Sequence, residues 1–142
     1  MLALAPQLAV DWFYDGTTKG DEMGYAVATA GDVDGDGYDD LVAGAAGATG
    51  LVSREGVVSL FPGGPGGLAD TRAWQAGGGQ QSARFGAALG AAGDLNGDGY
   101  GDLVVGAPEY NNGTSKAGAA MVFYGSSGGL SPTPDWSFVS PI

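Results

Sequence analysis

Residues 32–45 read DVDGDGYDDLVAGA, and residues 94–107 read DLNGDGYGDLVVGA. Each stretch opens with a loop whose side-chain oxygens stand at its first, third, fifth and ninth places. Glycine holds the sixth place, and a short apolar run bounded by turn residues follows. Such a run is too short for a helix and reads as a buried strand, Asp40–Ala45 and Asp102–Ala107. The two stretches lie 62 residues apart, and the same offset extends well beyond them. It relates Trp12 to Trp74 and Trp74 to Trp136, and it aligns 12–73 with 74–135 without a gap. Matched pairs include Gly24/Gly86, Asp32/Asp94, Asp36/Asp98, Asp40/Asp102, Gly44/Gly106, Phe61/Phe123 and Leu68/Leu130. The chain is a duplication.

Around these stretches the pattern stays short and β-like. Tyr25–Ala30 and Ala87–Ala92 are small-residue runs expected to form tightly packed inner strands. Gly56–Phe61 and Gly118–Tyr124 read as third strands. Thr71–Ala76 and Pro134–Phe138, each with its tryptophan, read as fourth strands. GGPGGL at 63–68 and GSSGGL at 125–130 are turns between them. A four-stranded antiparallel unit repeated at this scale predicts an all-β chain of two β-propeller blades. A β-sandwich is the plainer alternative, and the gapless period argues against it. The expected organisation is an N-terminal segment, 1–23, with an outer-strand-like piece around Trp12. A first repeat at 24–85 and a second at 86–142 follow.

Composition agrees and excludes much else. Glycine and proline supply 29 and 7 of the 142 residues, against a helical bundle. Hydrophobic residues make up 44%, against a disordered linker. No apolar run reaches the roughly 20 residues of a membrane helix. The opening MLALAPQLAV has no basic region and is too short for a complete secretory leader. A net charge of −11 disfavours nucleic acid and anionic membranes as partners. There is no cysteine and no histidine, which removes thiolate nucleophiles, Ser-His triads and nitrogen or sulfur metal sites. The chain reads as non-catalytic.

Eight of the sixteen acids fall within 32–40 and 94–102, and like charge packed so closely calls for a cation. In the first loop the expected ligands are Asp32, Asp34, Asp36 and Asp40, with the backbone carbonyl of Tyr38. In the second they are Asp94, Asn96, Asp98 and Asp102, with the carbonyl of Tyr100. All are oxygen donors, irregularly arranged around a turn, which suits calcium better than magnesium, zinc or copper. One Ca²⁺ per repeat is expected, two per chain. Asn96 replaces Asp34, so the first loop should attract calcium more strongly. Asp39 aligns with Gly101 and lies outside the pattern. An EF-hand or dockerin loop would place an acid at its twelfth position between helices; here that position is Ala43 or Val105, with strand-like flanks.

Other features read as structural. Gly125-Ser126-Ser127-Gly128-Gly129 matches a hydrolase elbow in letters only, since no histidine exists to complete a triad. Asn112-Gly113-Thr114 is a formal glycosylation sequon. The regularly spaced tryptophans are expected to pack between blades. Lys19 and the other bases are expected to be scattered and solvated.

These residues resemble the FG-GAP repeats of integrin α-chain β-propellers and their bacterial relatives. Phe85-Gly86 is similar to the family's FG and Gly106-Ala107-Pro108 to its GAP, with the acidic loop between them. The first unit has Met23-Gly24 and Gly44-Ala45-Ala46 in those places. The resemblance covers 12–135 and implies calcium in the hairpin between a blade's first and second strands. It also implies an extracellular or periplasmic setting and a role in adhesion or recognition. Two blades alone leave two sheet faces bare. The ring is therefore expected to be completed by further repeats, or by identical chains forming a homo-oligomer of six or eight blades. In that case the surplus Trp12 segment would supply an outer strand to a neighbour. Alternative functions are a lectin-like carbohydrate-binding propeller using exposed aromatics, or an accessory propeller of a secreted enzyme.

Overall fold

The computed structural model describes residues 12–16 and 18–141; the MLALAPQLAV stretch lies outside them. Eight strands follow in order. They are β1 (Met23–Gly31), β2 (Asp40–Ala45), β3 (Val57–Phe61), β4 (Trp74–Gly77), β5 (Ala88–Gly93), β6 (Asp102–Ala107), β7 (Ala119–Phe123) and β8 (Trp136–Val139). They form two four-stranded antiparallel sheets, β1-β2-β3-β4 and β5-β6-β7-β8. No helix occurs among the described residues. This is the predicted all-β pair of blades, and the two do not close a ring.

Register repeats with the sequence. Leu41 pairs Phe61 as Leu103 pairs Phe123, and Leu60 pairs Trp74 as Val122 pairs Trp136. Both first strands carry an irregularity just before the acidic loop, between Thr29 and Gly31 and between Ala91 and Gly93. A bulge there bends the strand and re-aims the first aspartate of the loop. The fourth strands begin at the tryptophans, later than the sequence pattern implies. The residues just before them are bent, although the Ala73 N–H still reaches the Leu60 carbonyl of β3 (2.9 Å) and the Asp135 N–H that of Val122 in β7 (2.9 Å).

The core lies between the sheets. Val42, Val58 and Leu60 of the first blade meet Phe85, Leu103, Val105, Met121 and Phe123 of the second. Phe85 is fully buried and stands edge-on to Phe123. Gly86, after it, brings its backbone against Gly44 of the first blade, where a Cβ would find the Gly44 Cα at 3.3 Å. The FG pair is therefore an inter-blade contact, one residue filling the core and the next allowing close approach. The first strands are not buried throughout, as the small-residue runs led one to expect. Tyr25 and Val27 are exposed because successive side chains alternate between the two faces of the strand: Ala28 and Ala30 reach the core, and Tyr25 and Val27 lie on the other face.

The tryptophans repeat a single packing arrangement. Trp74 lies edge-on to Phe123 of the next blade at 5.0 Å, and its indole N–H donates to the Ser131 carbonyl. Trp12 does the same to Phe61 at 5.0 Å, donating to the Ala69 carbonyl. The Trp12 segment thus stands where the outer strand of a preceding blade would. Trp136 has no such partner among the described residues and stacks on Phe138, both exposed.

Candidate metal centre

Each acidic loop is wound around its first aspartate. Asp32 Oδ1 accepts the N–H groups of Gly35 (2.8 Å) and Asp36 (3.1 Å), and Oδ2 accepts that of Gly37 (2.8 Å). Asp94 accepts from Asp98 (3.0 Å) and Gly99 (2.8 Å) in the same way. The turn this requires puts Gly37 and Gly99 at φ 90°, a conformation a side chain would strain. At the ninth place the carboxylate closes the loop. Asp40 accepts the N–H of Val33 and that of Gly63, both at 3.0 Å. Asp102 accepts those of Leu95 (2.7 Å) and Gly125 (3.0 Å). Both are buried, so these carboxylates lock their loops to the turn after the third strand.

The electrostatics of the first loop favour a cation. Desolvation pushes the Asp40 carboxyl above its ordinary value, and the charges of Asp36 and Asp32 add to this. Asp34 is raised for the same reasons, burial first and then the charges of Asp36 and Asp40. For Asp32, burial is outweighed by the N–H donors of Gly37, Gly35 and Asp36, which hold the carboxyl below its ordinary value. The N–H of Gly99, aided by those of Asp98 and Gly97, does the same for Asp94. Crowded carboxylates kept apart from water repel one another, and a divalent cation reverses that interaction.

The structure brings some of the expected ligands together. Asp32, Asp34 and Asp40 each offer a carboxylate oxygen, and these oxygens lie within 4.8 Å of one another. Asp36 is outside this group, with its Oδ1 on the Tyr38 N–H at 2.9 Å. Asp98 likewise accepts from Tyr100 (3.1 Å). In the second loop the third place is the amide of Asn96, so no equivalent carboxylate triad arises among the described residues. Asp94, Asn96 and Asp98 are exposed, whereas Asp32 and Asp34 are half-buried. A carboxylate oxygen that accepts one N–H retains a lone pair for a metal. An all-oxygen set of this kind fits a hard cation such as calcium.

The two loops touch, which explains their asymmetry. The Gly101 N–H donates to the Asp32 carbonyl (2.8 Å) and the Ser126 N–H to the Val33 carbonyl (3.0 Å). A Cβ on Gly101 would lie 2.9 Å from the Ala30 carbonyl oxygen, and one on Gly35 would lie 2.7 Å from the Tyr100 ring. Gly101 is therefore glycine because the first blade presses on it. Asp39, its counterpart, faces solvent and is free to carry a side chain.

Two features escape the sequence reading. The bases are not all solvated. Arg84 pairs with Glu22 at 3.1 Å and lies over the Tyr25 ring, and Lys116 pairs with Glu109 at 2.9 Å. Folding brings Arg84 to Glu22 from one repeat away and closes Lys116 on Glu109 within the loop between β6 and β7, which spacing alone does not disclose. Glu55 is buried, accepting the N–H groups of Val52 (3.1 Å) and Gly79 (2.6 Å). Its counterpart is Ala117, so the repeat comparison gives no signal for it.

Four-stranded antiparallel blades in tandem, each with an acidic hairpin loop between its first two strands, define a class of β-propeller repeat. Residues 23–61 and 85–123 each match the FG-GAP repeat, and the chain belongs to that family. Integrin alpha-PS2 of Drosophila melanogaster is 41% identical over 121 residues, covering 78% of this chain and 8% of its own length. Integrin alpha-IIb of Mus musculus is 41% identical over 127 residues, covering 84% of this chain and 12% of its own. Integrin alpha-V of Gallus gallus is 36% identical over 118 residues, covering 79% and 11%. The chain thus spans about a tenth of the length of these relatives.

Proposed function

We propose that this chain is a non-catalytic, calcium-stabilised pair of propeller blades serving adhesion or recognition in an extracellular or periplasmic setting. The observation that carries the calcium reading is the convergence of Asp32, Asp34 and Asp40 oxygens within 4.8 Å in a loop repeated one blade later. Asp36 and the Tyr38 carbonyl complete the proposed first set. Asp94, Asn96, Asp98, Asp102 and the Tyr100 carbonyl form the second. The relatives' name, integrin, supports the adhesion reading. The proposed repeat boundary lies at 85/86, inside the FG pair that joins the blades.

Calcium loops outside cells often bind at roughly 10⁻⁴–10⁻³ M, which gives about 1–2 kcal/mol per site at millimolar calcium toward the tight end of that range. Thermal melting in chelator, magnesium and calcium tests the reading. Calcium should raise the midpoint above both others, and coincident curves in chelator and calcium would refute it.

The ring is completed by further blades of the same kind, either more repeats of one polypeptide or identical copies giving six or eight blades. Support comes from the exposed Leu95, Trp136 and Phe138, whose first-blade counterparts Val33, Trp74 and Ala76 are covered by the second blade. Native mass measurement distinguishes the routes: a multiple of 14.0 kDa indicates identical copies.

A further inference from the structure

The antiparallel order sends the two acidic loops to one end of the blades and the β2–β3, β4–β5 and β6–β7 loops to the other. At this second end a cavity of about 210 Å³ is lined by Arg54, Ser82, Arg84, Glu109 and Lys116, over a floor of Ala46 and Gly47. Three of the chain's five basic residues therefore meet in one small space of a protein with net charge −11. Arg54 and Lys116 are equivalents one repeat apart, and Arg84 comes from the junction between blades. From this convergence we infer that the cavity is a binding site for a compact carboxylate, such as an acidic side chain or a small organic acid.

The site is built before any ligand arrives. The Ser82 N–H donates to the Ser53 carbonyl (3.3 Å), that of Phe85 to Glu55 (3.0 Å) and that of Glu109 to Ala83 (3.1 Å), lacing the three loops together. Arg54, Ser82 and Arg84 all have φ between 53° and 59°, where side chains are rarely found. Backbone held in that region at several lining residues marks a conformation imposed by its surroundings. Arg84 and Lys116 are each offset by a carboxylate, Glu22 and Glu109. The Arg54 guanidinium and the Ser82 hydroxyl have no hydrogen-bond partner among the described residues, so they remain for a ligand. Once the two ion pairs are counted, one positive charge is left over. That matches a monovalent carboxylate, which a guanidinium fork can hold with two parallel bonds, better than a dianion. Repulsion from the acidic end is screened beyond about 8 Å at physiological salt.

The test is a titration of the calcium-loaded, isotopically labelled chain followed by amide resonances at constant ionic strength. The probes are sodium acetate, sodium sulfate and a blocked tripeptide with one central glutamate. Acetate should shift the Arg54, Ser82 and Arg84 amides along a saturating curve, leaving residues 32–40 unmoved. Arg54→Gln should weaken binding about tenfold, the loss expected for one charge-assisted contact. Tighter binding of the peptide than of acetate assigns the site to a protein's acidic side chain, and equal binding to a free acid. Shifts no larger than those with chloride, unchanged binding in Arg54→Gln, or sulfate binding without acetate binding would overturn the inference. If Arg54→Gln does not give a folded spectrum, Lys116→Gln is read by the same criteria.

Discussion

Val33 and Leu95 hold the same position in the two loops, yet Val33 is 1% exposed and Leu95 57%. The difference is the neighbour: the second blade lays Gly125 and Ser126 over Val33, and nothing among the described residues covers Leu95. An aspartate in place of Val33 would bury an unpaired charge, so Val33→Asp should cost about 3 kcal/mol or more. Leu95→Asp should stay within about 0.5 kcal/mol in the isolated chain and abolish any self-association. Denaturant melts and light scattering on the two variants check this, and equal destabilisation would contradict the face assignment.

Asp36 and Asp39 separate a proposed ligand from an expected bystander. Asp36 stands at the fifth place of the loop and Asp39 is exposed with glycine as its counterpart. Asp36→Ala should weaken calcium binding at the first loop, whereas Asp39→Ala should leave it nearly unchanged. Calorimetric titration of both variants is the measurement, and equal losses would mean that the ligand set is misassigned.

Contact between the loops predicts coupling. Gly101→Ala drives a methyl toward the Ala30 carbonyl while its N–H holds the Asp32 carbonyl. It should cost about 1–3 kcal/mol and lower calcium affinity at the first loop, although the change lies in the second. Lanthanide luminescence from the first loop reports this, and an unchanged first site would disprove the coupling.

Glu109 gives a pH signature away from the acidic loops. Its hydrogen bond to Lys116, reinforced by that charge, holds the carboxyl below the ordinary 4.5. A carboxyl lowered by folding adds stability that is full above the unfolded value and fades as pH falls through the folded one. The side-chain resonance of Glu109 should titrate below 4.5 and move back toward it in Lys116→Ala. A midpoint unaffected by that substitution would show that the pair does not persist in solution.

The sequence alone determined the repeat, the strand order and the loops, because these rest on local chemistry. A 62-residue period, glycine at the sharpest point of each loop, and apolar runs bounded by turns state themselves in the order of residues. Only the tertiary structure decided which members of each repeated pair differ in environment. Arg84 meets Glu22 from one repeat away, Gly101 yields to Asp32, and Val33 is covered where Leu95 is not. Packing of one blade on the next creates these differences, since it gives chemically equivalent positions unequal neighbours. The convergence of Arg54, Arg84 and Lys116 belongs to the same class: a charge cluster spread across three loops exists only once the sheets have stacked.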